Sequence, residues 1–312
     1  MGLCVCNNAR KNTGVAKCKS LFYAPKGFIF TPTYKDDGTR NKIAAGDTLN
    51  AAYVTGKLND SEDERWYPTP NIENGTITQA DPTFETPKSA KKYLVSEGIT
   101  SVTAEFFEQE LKYLEKLKDK KCGAWSVYPV DIYGSLLGDT DGTDFFPIKL
   151  AEGTMSAIPV FAEEKTSVPK LKITFDFDQT VYSENLITIS ASEFTGVNLL
   201  TIEGLLDVNV TLSDEGTTQC VAVLSSDFGT FKNKTVITGF LIADFVSSVT
   251  AATRKIRNVT DGADISITSV TENPDGTYTF VYPAQTNGDV MTLAADKDGY
   301  DFPNSTITID HT

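Results

Sequence analysis

The clearest pattern in the chain is a period of two in its last third. At 265–270 the sequence reads Ile-Ser-Ile-Thr-Ser-Val, passes through Asn273-Pro274-Asp275-Gly276, and returns as Thr-Tyr-Thr-Phe-Val-Tyr with Tyr278, Phe280 and Tyr282 on one face. Alternation on both sides of a Pro-Asp-Gly turn predicts a β-hairpin. Comparable runs stand at 205–212, 220–224, 236–242 and 306–309. About seven short strands separated by turn signals predict a β-sandwich of immunoglobulin type over 183–312.

Upstream the pattern is mixed. Residues 27–33 read as a strand, and 36–38 and the charged 61–65 as loops. Pro68, Pro70, Pro82 and Pro87 then punctuate an extended segment around a short strand at 72–78. A connection of that length in a compact domain points to contact with a partner. Residues 89–103 predict two strands around Glu97-Gly98. Over 106–120, Phe107, Leu111 and Leu114 fall at i, i+4 and i+7 with Phe106, Tyr113 and Leu117 beside them, and Glu108 precedes Lys112 by four. That spacing predicts one amphipathic helix laid on a sheet. A strand at 124–133 contains Pro129, which assigns it to an edge or a bulge. Phe146, Ile148 and Leu150 alternate after the turn-rich 138–144, and a strand at 170–177 closes the unit. The expected fold is therefore mainly β: an arm at 1–20, a β-sandwich or barrel domain at 21–182 with one flanking helix at 106–120, and the second sandwich at 183–312. The boundary is placed near 178–186. The arm carries Arg10, Lys11, Lys17 and Lys19, and a basic, polar arm of this kind is expected to order against a neighbouring subunit.

Charge narrows the partners. The chain carries a formal net charge of −14, and residues 181–312 hold 17 acidic and 6 basic side chains. Such a surface repels nucleic acid, so sequence-specific DNA or RNA binding is not expected, although DNA could pass it without sticking. No run of about 18 apolar residues occurs, so no membrane-spanning helix is expected. The opening Met-Gly-Leu-Cys-Val-Cys lacks the apolar core of a secretory signal, and Cys6 stands where a myristoylation pattern needs Ser or Thr, so no membrane association is expected. The five cysteines, at 4, 6, 18, 122 and 220, form an odd and irregular set, consistent with reduced thiols and folding in a cytoplasm.

Candidate chemistry is sparse. His311 is the only histidine, which removes histidine acid–base catalysis, a Ser/His/Asp triad and a histidine metal site. Asp139, Asp141 and Asp144 surround Gly142 with alternating carboxylates. That arrangement suits either a hard cation or a hairpin tip, and the missing distal glutamate favours the tip. Cys4, Cys6, Cys18 and Cys122 match no zinc spacing. No glycine-rich phosphate loop is present. No catalytic, cofactor-binding or metal-ligating residue is nominated, no cofactor is expected, and the chain is read as a protein that is not an enzyme.

Two stretches carry a resemblance to known families. Residues 238–245 (Thr-Gly-Phe-Leu-Ile-Ala-Asp-Phe), together with 264–270, 275–280 and 288–293, resemble Ig-like repeats of phage virion proteins and bacterial surface proteins. The first unit resembles the tail tube (major tail) proteins of tailed bacteriophages. The likeness is carried by Lys92-Tyr-Leu-Val-Ser-Glu-Gly98, the helix to Lys120, the strand at 124–132 with Tyr133-Gly134, and Phe146-Pro-Ile-Lys-Leu-Ala-Glu-Gly153. It is a likeness of element order and transfers no functional residue. The cysteine-bearing N-terminal segment departs from it. The resemblance implies a structural virion protein of the tail, assembled in the host cytoplasm. It would be a homo-oligomer forming hexameric rings that stack into a conduit for DNA and meet other virion proteins. The arm and the proline-punctuated segment would then be the inter-subunit contacts, with the Ig-like domain outside. Competing expectations are a head, neck, ring or decoration protein, an adhesin-like carbohydrate-binding surface protein, and a carboxylate hydrolase for which the sequence nominates no pair.

Overall fold

The computed structural model describes residues 22–86, 88, 91–162, 167–178, 185–246, 255–302 and 305–308. The expected arm, with Cys4, Cys6 and Cys18, and the terminal His311 lie outside the described residues. The fold is mainly β, in several sheets, with two α-helices among the described residues.

The first unit is layered around the strands Pro25–Pro32 and Trp125–Asp131, which pair antiparallel from Pro25 opposite Asp131 to Pro32 opposite Trp125. They lie inside a seven-stranded sheet bounded on its main path by Leu186–Ile189 and Tyr67–Pro68. Both faces of this sheet are covered, which is why Trp125–Asp131 reads as a continuous buried run and not as an alternation. One face presents Phe28, Phe30 and Val127 to a four-stranded sheet, whose order is Ser156–Val160, Lys170–Asp176, Thr100–Phe107, Asn74–Gln79. Phe175 meets Phe28 and Phe30 edge-on, with ring centroids 5.4 and 5.7 Å away. The other face presents Ile29, Tyr128 and Val130 to Val54, Trp66, Phe194 and Leu199.

Three local expectations are corrected here. The helix expected over 106–120 is a strand through Phe107 followed by the helix Leu111–Lys118 and a 3-10 turn at Asp119–Lys121. Thr100–Phe107 alternates buried and half-buried side chains along its whole length, and Glu108, at φ +57°, is the left-handed residue that ends it. Phe106 is accordingly a strand residue, and Lys112 pairs with Glu115 at 2.7 Å instead of Glu108. Pro129 is not at an edge, because its strand is flanked on both sides, but the ladder is irregular close by, between Pro25 and Gly27 opposite Asp131 and Val130. Phe28 opposite it donates its N–H to the Thr69 hydroxyl and accepts the Thr69 N–H. The Phe28–Pro129 pair is therefore of the non-hydrogen-bonded kind, and the missing proline donor costs that ladder nothing. A helix at Ala51–Leu58, capped by the Asn50 side chain accepting from the Tyr53 N–H, fills a stretch without a sequence expectation.

The second unit is a β-sandwich. Its six-stranded sheet runs Ser269–Glu272, Thr277–Val281, Gln219–Gly229, Leu206–Glu215 and Tyr300–Asp301, with Lys234–Val236 beside Gln219–Gly229. Phe245–Val246, Val290–Ala295, Lys255–Asn258 and Ala263–Ser266 form the facing sheet, with Ser305–Thr308 on Val290–Ala295. The expected hairpin forms around 273–276, and Tyr278, Phe280 and Tyr282 all point into the core. The run expected as one strand at 265–270 is two. Ala263–Ser266 pairs in one sheet, buried Ile267 crosses the core, and Ser269–Glu272 pairs in the other. The strand expected at 236–242 ends at Val236 and gives way to a 3-10 turn at Ile242–Asp244. Leu186–Ile189 pairs with Leu136–Thr140 in the first unit. The change of sheet membership therefore falls between 202 and 206, later than the expected 178–186.

Candidate assembly surfaces and the cleft between the units

Asn74–Gln79 and Thr100–Phe107 form a hairpin whose distal part leaves the four-stranded sheet. Beyond them the chain continues as a separate two-stranded ribbon, Thr83–Glu85 against Tyr93–Ser96. The break between sheet and ribbon is built by Gly98. Its φ is +90°, and a Cβ there would stand 2.0 Å from the Ala80 carbonyl oxygen, so only glycine allows the two strands to approach at this bend. The Ala80 N–H still donates to the Ile99 carbonyl, and the Gln79 side-chain amide reaches the Glu97 carbonyl. The ribbon thus starts from a fixed base. Its own side chains are not covered: Phe84, Tyr93, Leu94 and Val95 are each about half exposed or more. Lys88, Lys91 and Lys92 lie around its turn. An isolated two-stranded hairpin is marginal in water, and this one displays apolar groups that the described residues leave about half exposed or more.

Among the described residues both outer strands of the four-stranded sheet pair on one side only. At Ser156–Val160, Ile158 is exposed, and Phe161 and Val168 beyond it are exposed as well. Pro159 withholds one donor from this strand, a feature that limits indiscriminate pairing at an edge. The proline-punctuated segment expected to make contacts thus contains one of these edges and the ribbon's first strand, while the second strand, Tyr93–Ser96, falls in the 89–103 run expected as two strands.

The two units meet across a cleft of about 780 Å³. Polar contacts span the junction. Arg65 pairs with Asp301 at 2.6 Å and Lys116 with Asp207. The Gly229 N–H donates to Glu110, and the Asn59 amide to Asp298. On the cleft wall Tyr67 and Trp125 stand edge to face at 76°, and the Lys120 ammonium lies 4.0 and 4.2 Å from their ring centroids. Lys120 enters no ion pair among the described residues, and burial pushes its ammonium down to about 8, against an upward pull from Asp119. Nothing in the sequence singled out this lysine. Its aromatic partners come from two distant strands that only the fold brings together.

Of the described residues weighed for chemistry from the sequence, Asp139, Asp141 and Asp144 are placed apart from this cleft, whereas the Cys122 carbonyl accepts from the indole N–H of Trp125 on its wall. At the hairpin tip the Asp141 carboxylate accepts from the Thr143 and Asp144 N–H groups, and these bonds hold its acidity below the usual carboxylate range. Asp144 pairs with Lys42 at 2.6 Å, and Asp139 lies 3.9 Å from Arg40. The three carboxylates are thus directed to different partners as a stapled turn. Among the described residues no group of three or more His, Cys, Asp or Glu side chains is placed to hold a metal ion. Cys122 is exposed and Cys220 is buried in the sandwich core. No described helix is long and apolar enough to cross a membrane. Compared with protein families and with curated proteins, the chain matches no family model and no curated sequence.

Proposed function

We propose that this chain is a structural virion protein, a tail tube subunit of a tailed bacteriophage that assembles into rings and stacks them into a conduit for DNA. The observation that carries the reading is the ribbon Thr83–Glu85/Tyr93–Ser96, which projects from a sheet with Phe84, Tyr93, Leu94 and Val95 uncovered. Burying such side chains stabilises by roughly 1.5–3 kcal/mol each, and a second copy supplies the surface for it. Among the described residues, both outer strands of the sheet that bears the ribbon pair on one side only. Contacts made by one edge of a copy to the opposite edge of the next are head-to-tail, and such contacts close into rings when the rotation allows. The acidic sandwich, with its own closed core, then sits beside the assembling sheet as an appended domain. No catalytic step is assigned to the chain.

Sedimentation velocity across a concentration series tests the reading. A discrete oligomer that grows at the expense of monomer is the expected result. A monomer at every concentration, in dilute and physiological salt alike, contradicts self-assembly.

A further inference from the structure

The cleft between the two units has a chemistry that ring assembly does not use. Its walls carry the carboxylates of Glu62, Asp119, Glu203, Asp207 and Asp301 against the cations of Arg65, Lys116 and Lys120. Arg65 and Lys116 are taken up by Asp301 and Asp207. That leaves Glu62, Asp119 and Glu203, all exposed on the cleft wall, without an ion pair among the described residues. The cleft therefore holds an excess of negative charge that its own side chains do not neutralise.

Lys120 itself shows what the aromatic corner recognises. The ammonium lies on two ring faces at once, an arrangement in which ring quadrupoles attract a cation, with about 2 kcal/mol or more when it is desolvated. The Tyr67–Trp125 corner is thus already a seat for an alkylammonium, and the chain fills that seat with a side chain of its own. With about 780 Å³ of space beside it, the cleft can take a linear chain of several methylenes carrying further ammonium groups, which would lie against Glu62, Asp119 and Glu203. A junction between two domains is a common place for a small-molecule site.

We propose that the cleft binds a linear polyamine, with one ammonium at the Tyr67–Trp125 corner, shared with or taken over from Lys120, and the others on the unpaired carboxylates. Lys120 then acts as a built-in competitor for the ligand. This sets a sign that distinguishes the proposal from an anion site. An anionic ligand would need Lys120, whereas a polyamine binds better without it.

The test is titration of the full chain with spermidine, read by tryptophan fluorescence. Trp66 is buried and gives a constant background, so the response reports Trp125. The expected result is a saturable change with spermidine that magnesium chloride of equal ionic strength does not reproduce. Tyr67→Leu should weaken binding at least tenfold, Glu203→Gln, on an exposed irregular segment, should weaken it several-fold, and Lys120→Met should strengthen it several-fold. Isothermal titration with Glu203→Gln reads the same affinity without relying on the corner, should Tyr67→Leu fail to fold. A response equal to that of magnesium, an affinity unchanged in Glu203→Gln, or a loss of binding in Lys120→Met would each overturn the proposal. Assembly is not measured in any arm, so this outcome is separate from that of the ring reading.

Discussion

At Lys120 the balance of burial against nearby charge can be measured directly. Its folded pKa of about 8 lies below the ordinary lysine value of 10.5. Between these values the unfolded chain holds more protons than the folded one, so this group makes stability rise with pH across that window, and the full penalty stands below it. The effect is on the order of 3 kcal/mol at most. Buried Tyr113 and Tyr128, whose phenols are pushed up by burial, act in the opposite direction above pH 10. The informative quantity is therefore the difference between wild type and Lys120→Met. Chemical denaturation at pH 7.5 and pH 10 should show wild type gaining on the variant; an equal gap at both values would show that the ammonium is not desolvated. Phe280 gives a second residue-scale prediction. It is fully buried, with the Phe245 ring edge-on at 4.8 Å. Phe280→Ala should cost about 3–5 kcal/mol, measured by urea unfolding, while Phe231→Ser at a 98% exposed position should change stability by less than about 0.5 kcal/mol. The inward face of Tyr278, Phe280 and Tyr282 was legible from the period of two, because one side of that strand meets the core and the other meets water. Lys120 was not legible, because its corner is made of residues far apart in the chain.

At the scale of elements, turn chemistry read well and termini read poorly. The hairpin at 273–276 was plain from Asn-Pro-Asp-Gly. Gly276 takes φ +82°, as the turn demands, and its place is further closed by Val236, whose side chain would stand 2.8 Å from an added Cβ. The helix at 106–120 was misplaced because Phe106 and Phe107 continue an apolar spacing that helix and strand share over a few residues. What separates the two is the left-handed Glu108, and no residue type announces that conformation. The helix Ala51–Leu58 was missed because Val54, Thr55 and Gly56 are poor helix formers and only Val54 is buried. Its surviving signal was Asn50 as a cap. The ribbon's second strand, Tyr93–Ser96, was legible as the first of the two strands around Glu97-Gly98, and its first strand only as part of a proline-punctuated stretch, while the exposure of Phe84 and Tyr93 cannot be read from alternation. Two predictions belong to it. Tyr93→Ser together with Leu94→Ser should remove oligomers in sedimentation velocity while leaving the thermal midpoint within a few degrees, because both side chains are about half exposed. Gly98→Ala should also remove oligomers, by forcing Ala80 away and redirecting the ribbon, and should lower the thermal midpoint as well, because the added Cβ meets backbone at a positive φ. Oligomers that persist in both variants would show that the ribbon is not a contact.

For the whole molecule, the division into a mixed unit and an acidic sandwich followed from composition and strand rhythm. The late change of sheet membership did not. Leu186–Ile189 looks like a sandwich strand in sequence, but it completes the first unit's sheet, and Phe194 and Leu199 then cover that sheet's second face. A three-layered first unit with both sheet faces closed leaves its ribbon and the edges of its smaller sheet as the uncovered parts, and self-assembly is the use proposed for them. Negative-stain electron microscopy of the purified chain over a concentration series tests that most directly. The account predicts uniform rings with a central hole, or tubes of stacked rings, appearing as concentration rises and absent in Tyr93→Ser/Leu94→Ser; dispersed single particles of monomer size at every concentration would contradict it.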